Sequence, residues 1–216
     1  FTKINLRMKF LSFYPKFLMS TQSQPRKVRV LVPITHGSEE IETMSIIGTF
    51  ARADAQVVIA KVLTEEEKDE NLTAVMSRGV KLIADQVLTD EITSDDYDAI
   101  VLPGGLKGAT NFGLSKVLIF LIRTHLDKGR IVGAICATPA LAFEPNGLLK
   151  GYDATTHFSV ADKLSNKSKV NQRIVVSENL ITGNGPATAV DFSLTIVEKL
   201  WDKEKAKAVA KVMCTE

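Results

Sequence analysis

Cys136 stands where a buried strand reads as giving way to a helix. In Arg130-Ile-Val-Gly-Ala-Ile-Cys136-Ala-Thr-Pro-Ala-Leu141 the apolar, β-branched run predicts a strand, and Pro139 with the Ala/Leu-rich residues after it predicts a helix start. A cysteine on a strand-to-helix turn is held in a sharp bend with its sulfur presented outward, as in the nucleophile elbow of hydrolases. The N–H groups and positive end of the following helix favour thiolate, the reactive form. The competing reading is a buried small hydrophobe, the usual fate of free cysteine.

Two further residues suit the same chemistry. Glu42 falls about one turn into a helix, among the apolar positions Ile41, Ile46 and Ile47. A carboxyl facing a low-dielectric crevice keeps its proton to higher pH and can donate it to a thiolate. A solvent-facing helix Glu, like Glu39 and Glu40 beside it, is the plainer alternative. His157 closes Asp153-Ala-Thr-Thr-His157 and reads as an orienting or acid–base group, or as a satisfied rim histidine. Pro103-Gly104-Gly105 ends a strand and reads as a tight turn whose small residues let the backbone pass close to the sulfur. The Gly105 and Ala137 amides then face a developing oxyanion. His36, on a loop, and His125, on a helix face, carry less weight. Three histidines and two cysteines without ligand spacing predict no metal site, and no Walker loop or dinucleotide fingerprint is present.

These residues need a scaffold. Strands are predicted at Val28–Val32 (ended by Pro33), Val57–Val62, Tyr97–Leu102, Ile131–Ile135, Asp153–Thr156, Arg173–Ser177 and Leu180–Thr182, with a hairpin or edge strand within Met76–Ile83. Helices are predicted from an N-cap at Ser38, over Leu114–Lys128, and at about 187–200 and 203–213. Thr64–Asn71 reads as an acidic surface loop. Strands alternating with helices mean βαβ units and a parallel sheet covered on both faces, with sites at the carboxyl ends of the strands.

The 216 residues suit one domain over 25–216 preceded by a basic extension over 1–24. That extension reads as an upstream or transit-like segment. Seven basic residues precede the first acid, Glu39, so the formal charge of +2 comes from this region and no nucleic-acid surface is expected. Cys136 and Cys214 form no disulfide framework, which fits a reducing, cytoplasmic compartment, or mitochondria if residues 1–24 are a transit peptide. No stretch reaches membrane-spanning length.

Taken in order, Gly37-Ser38-Glu39-Glu40-Ile41-Glu42, Val101-Leu-Pro-Gly104-Gly105, Gly133-Ala-Ile-Cys136-Ala137, Thr155-Thr-His157 and Gly185-Pro186 resemble the ThiJ/PfpI superfamily, specifically its DJ-one branch. The resemblance covers about residues 28–212. It implies a flavodoxin-like sandwich acting as a homodimer, with a cofactor-free site in which Cys136, Glu42 and His157 are catalytic and Gly104, Gly105, Ala137 and Thr138 contact substrate or oxyanion. It implies a glutathione-independent glyoxalase or protein deglycase acting on methylglyoxal, glyoxal or glycated side chains. The alternative is a redox sensor and chaperone whose cysteine climbs to sulfinic acid. Ala137 stands where the protease branch has His, Thr138 where this branch usually has Gly or Ala, and Asn184 where many members have Arg. Arg78 matches an Arg near the dimer edge. A glutamine amidotransferase shares such an elbow but needs a late His-x-Glu, and no His follows His157.

Overall fold

The computed structural model describes residues 26–215 apart from 66 and 68–70; the expected extension over 1–24 lies outside the described residues. Among the described residues nine strands form: β1 (Arg29–Ile34), β2 (Gln56–Lys61), β3 (Thr73–Val75), β4 (Lys81–Ile83), β5 (Gln86–Val87), β6 (Ala99–Leu102), β7 (Ile131–Ile135), β8 (Ile174–Ser177) and β9 (Leu180–Gly183). The helices are α1 (Glu40–Arg52), α2 (Leu106–Leu114), α3 (Lys116–Asp127), α4 (Ala189–Leu200) and α5 (Lys203–Val212). Seven strands make one sheet in the order β5-β2-β1-β6-β7-β9-β8, parallel except for β8 against β9, and β3 and β4 form a separate antiparallel hairpin.

The central strands β1, β6 and β7 are buried on both faces, which is why they read as apolar runs rather than as alternating ones. α1, α4 and α5 pack together on one face, and α2 and α3 cover the other. Gly133 in β7 has a packing reason, because a Cβ there would sit 2.6 Å from Ile196 Cδ1 and 2.9 Å from Phe192 Cζ on α4.

Three expected elements differ. β1 runs through Pro33 to Ile34, because Pro33 turns its missing N–H toward the β6 side, beyond the two residues that β6 pairs. α1 is capped by Glu39, which accepts the Glu42 N–H at 2.7 Å, while the Ser38 hydroxyl accepts the Thr35 N–H instead. Asp153–Thr156 forms no strand, since β7 and β9 pair directly and leave no ladder position between them. The helix expected to start at Pro139 forms as one wide turn over Pro139–Phe143, closed by Glu144 N–H to Pro139 C=O.

β1 leads outward to β2 on one side, whereas β6 and β7 lie on its other side. The loops leaving β1 and β6 therefore diverge and open a crevice at the carboxyl edge, the place where ligands bind in such sheets.

Candidate active site

The loops after β1, β6 and β7 and the segment before β8 meet at that crevice. Cys136 ends β7 with φ +63°, a left-handed conformation that side-chain-bearing residues seldom adopt. Its backbone is fixed at both ends: its N–H donates to Gly183 O at 2.9 Å, and its carbonyl accepts the His157 N–H at 2.8 Å and the Thr156 hydroxyl at 2.6 Å. This over-determination holds the strained bend. Thr156 entered the sequence reading only inside the Thr155-Thr-His157 motif; a hydroxyl residue directly before His157 was the available signal.

Cys136 is 8% exposed and borders a cavity of about 530 Å³, whose wall includes His36, Arg78, Gly105, Ala137, His157 and Pro186. The Gly105 and Ala137 N–H groups approach the sulfur itself and favour its anion, whereas the sequence reading has them facing a developing substrate oxyanion. With only one short turn of helix following, these two amides stand in for the expected helix dipole.

Glu42 is fully buried and interacts with the Cys136 thiol. Its Oε2 accepts the Gly104 N–H at 2.6 Å, while Oε1 is buried with no partner among the described residues. Burial pushes the carboxyl up to about 7, opposed by the Gly104 N–H. Burial, followed by the negative charge of Glu42, pushes the Cys136 thiol up to about 12. That value corrects the expectation of a simply lowered thiol: while Glu42 is ionised, the sulfur does not ionise. Two such groups in contact share one negative charge near neutrality and titrate as a pair. The sulfur is offered two amide donors and the carboxyl one, with an oxygen left bare. The hydrogen bonds therefore favour the charge on sulfur and the proton on Oε1.

Two residues grouped with the oxyanion contacts act elsewhere. The Gly104 N–H is spent on Glu42, and a Cβ at Gly104 would lie 2.5 Å from Cys136 Cβ, so this glycine provides closeness rather than an oxyanion donor. Thr138 is fully buried, donates to Pro103 O at 2.6 Å and does not border the cavity. Gly105, at φ +89°, has the conformation and crowding that only glycine meets, a Cβ there falling 2.1 Å from Gly37 O.

His157 reaches the cavity wall with a defined tautomer. Its Nδ1 accepts the Ser159 backbone N–H at 3.3 Å, so the ring proton lies on Nε2, with the Ser159 hydroxyl 2.8 Å from the same nitrogen. Nε2–H is the atom left to meet a substrate oxygen. His36 also borders the cavity, but Val75 N–H and Glu67 occupy its two ring nitrogens. His125 lies fully buried on α3 against Ser94, away from the crevice. Among the described residues no group of three or more His, Cys, Asp or Glu is placed to hold a metal, and no helix is long and apolar enough to cross a membrane.

The model of the DJ-1/PfpI family matches residues 28–199. Protein DJ-1 homolog A of Arabidopsis thaliana is 47% identical over 183 residues, covering 85% of this chain and 45% of that protein. The chain thus spans less than half the length of that plant relative. The glutathione-independent glyoxalase DJR-1.2 of Caenorhabditis elegans is 30% identical over 187 residues, covering 86% of this chain and 94% of that one. The solved structure of oxidised Toxoplasma gondii DJ-1 superposes with a TM-score of 0.79 at 37% identity, covering 87% and 98% of the two chains. With its flavodoxin-like α/β sandwich and an elbow cysteine at the sheet's carboxyl edge, this chain belongs to the DJ-1/PfpI family.

Proposed function

We propose that this chain is a cofactor-independent, cysteine-dependent glyoxalase that converts methylglyoxal or glyoxal to the 2-hydroxy acid, with early glycation adducts of proteins as further substrates. The observation that carries this reading is a buried carboxyl, raised to about 7, touching a strained elbow cysteine at a cavity. A group that titrates near the working pH can both give and take a proton.

The Cys136 sulfur adds to the aldehyde carbon C1, and the new alkoxide takes the Glu42 proton, giving a hemithioacetal. The ionised Glu42 removes the hydrogen of C1 as a proton. The electron pair becomes the C1–C2 double bond of an enediol, and His157 Nε2–H donates to the C2 oxygen as charge builds there. Glu42 returns the proton to C2 while the C1 hydroxyl proton passes to the C2 oxygen by way of His157 Nε2, leaving a thioester of the 2-hydroxy acid. Water hydrolyses the thioester and frees the sulfur. C1 is oxidised and C2 reduced within one molecule, so the balance needs no external oxidant or reductant. The Gly105 and Ala137 amides are the donors for the C1 oxyanion.

The test is lactate formation from methylglyoxal without glutathione. Wild type is expected to turn over, Cys136→Ser to be inactive and Glu42→Gln to lose about 10²-fold or more. Lactate formation retained in Cys136→Ser overturns the covalent route. A second reading rests on the bare Glu42 Oε1, which suits hydrogen bonding to the oxygens of an oxidised sulfur. No wild-type lactate, together with stoichiometric sulfinate after mild peroxide, selects that sensor.

The partner expected here is a second copy of the chain. Ile41 and Met44 of α1 and Val75, Val80 and Ile83 of the β3–β4 hairpin are exposed. Glu40 ties the two elements together by accepting the Ser77 hydroxyl and the Arg78 N–H.

A further inference from the structure

We propose that Thr138 is a positioning residue that sets the Glu42–Cys136 pair through a single peptide plane. Its hydroxyl donates to the carbonyl of Pro103 at 2.6 Å. The amide at the other end of that same peptide unit, Gly104 N–H, donates to Glu42 Oε2 at 2.6 Å. A peptide is planar and rigid, so holding its C=O fixes where its N–H points. Linked hydrogen bonds also polarise one another: a donor on the carbonyl makes the amide a stronger donor. The hydroxyl lies two residues past the nucleophile, so the chain of contacts closes on itself from Thr138 through Pro103–Gly104 and Glu42 back to Cys136.

Geometry leaves this hydroxyl little other use. Thr138 and Glu42 are fully buried, and Thr138 stays off the cavity wall, so it touches no substrate. Gly104 has no room to re-seat, since its Cα hydrogens face Cys136 Cβ, Glu42 Oε2 and Ile135 O at distances a Cβ could not tolerate. Removing the hydroxyl frees the peptide plane to rock and weakens the donor that favours ionisation of the pair. The pair should then lose its proton at higher pH and the proton transfers should slow, with substrate affinity unchanged.

The inference rests on the glyoxalase reading for its kinetic consequence but not for its direct test. In a Cys214→Ser background, which silences the exposed tail thiol, the rate of Cys136 alkylation by iodoacetamide is followed against pH. Thr138→Val, equal in shape but without the donor, is expected to move the midpoint upward by about half a unit to one unit. Thr138→Ser is expected to restore it. For lactate formation, kcat is expected to fall about tenfold in Thr138→Val with KM unchanged. If Thr138→Val does not fold, Thr138→Ala against Thr138→Ser gives the same comparison. An unmoved midpoint in the valine or alanine variant, or a serine variant that behaves like it, overturns the proposal. Alkylation needs no turnover, so a catalytically silent wild type removes the glyoxalase reading while the midpoint still decides the role of Thr138.

Discussion

Burying Glu42 against Cys136 takes a carboxyl out of water, and the folded chain therefore binds that proton more tightly than the unfolded chain does. The sign follows directly. With the folded value raised to about 7 from the ordinary carboxyl value of 4.5, this contribution to stability is full below 4.5 and is lost as pH rises toward 7 and beyond. Glu42→Gln keeps the shape and removes the titration, so it should be more stable than wild type at pH 8, by at most about 3 kcal/mol, and the advantage should shrink at pH 5. Urea midpoints at the two pH values check this; equal midpoints at pH 8 contradict a buried, strained carboxyl. The same substitution costs activity, the usual exchange between stability and function at a reactive site. Residue types raised the sulfur and its acid as candidates beside plain structural alternatives, and the ordered motifs of the family resemblance singled them out. The particular roles of Gly104 and Thr138 were not legible. They depend on which end of one peptide plane each side chain meets, and spacing along the chain does not encode that.

The loop between β6 and α2 carries most of the positioning. A Cβ at Gly104 would approach Cys136 Cβ at 2.5 Å, Glu42 Oε2 at 2.8 Å and Ile135 O at 2.9 Å. Gly104→Ala is therefore expected to destabilise by about 1–3 kcal/mol through overpacking and to abolish measurable lactate formation. Gly147→Ala is the control: that position has φ +67° but nothing within 4 Å, so it should cost about 1 kcal/mol and leave kcat intact. Thermal midpoints and lactate rates separate the two; an active Gly104→Ala contradicts the close approach. The alternation of strands and helices was readable because buried parallel strands are continuous apolar runs. α2 escaped the sequence reading because Gly108 and Gly113 interrupt its pattern. Both glycines are close-approach positions, Gly108 against Ser38 N and Gly113 against Leu141 O, so tertiary packing outweighs their poor helix propensity. Asp153–Thr156 misled in the opposite sense. Its buried β-branched residues look like a strand, but Thr155 N–H bonds the Thr182 hydroxyl rather than a ladder partner.

The whole molecule presents its site beside an apolar face that is exposed among the described residues. Ile41 and Met44, more than half exposed, neighbour the β3–β4 hairpin, which also borders the cavity through Val75 and Arg78. A patch of this kind marks an interaction surface, and a symmetric pair of copies is the simplest way to cover it. Sedimentation should show a dimer at micromolar concentration, and Ile41→Glu should shift it to monomer without unfolding; a monomeric wild type contradicts this assignment. Fold class and the mostly parallel sheet were legible at this scale because strands alternate with helices along the chain, whereas strand order and pairing between copies leave no periodic mark in one chain. The fold's chief product is the single negative charge that the Cys136–Glu42 pair holds at the switch point, and thiolate absorbance near 240 nm in the Cys214→Ser background reads it directly. The expected result is one thiolate appearing with a midpoint at about 7 or below, against about 8.5 for an ordinary thiol. A midpoint at 8.5 or above, with Cys136 fully protonated at neutral pH, would contradict the activated sulfur on which the proposed chemistry stands.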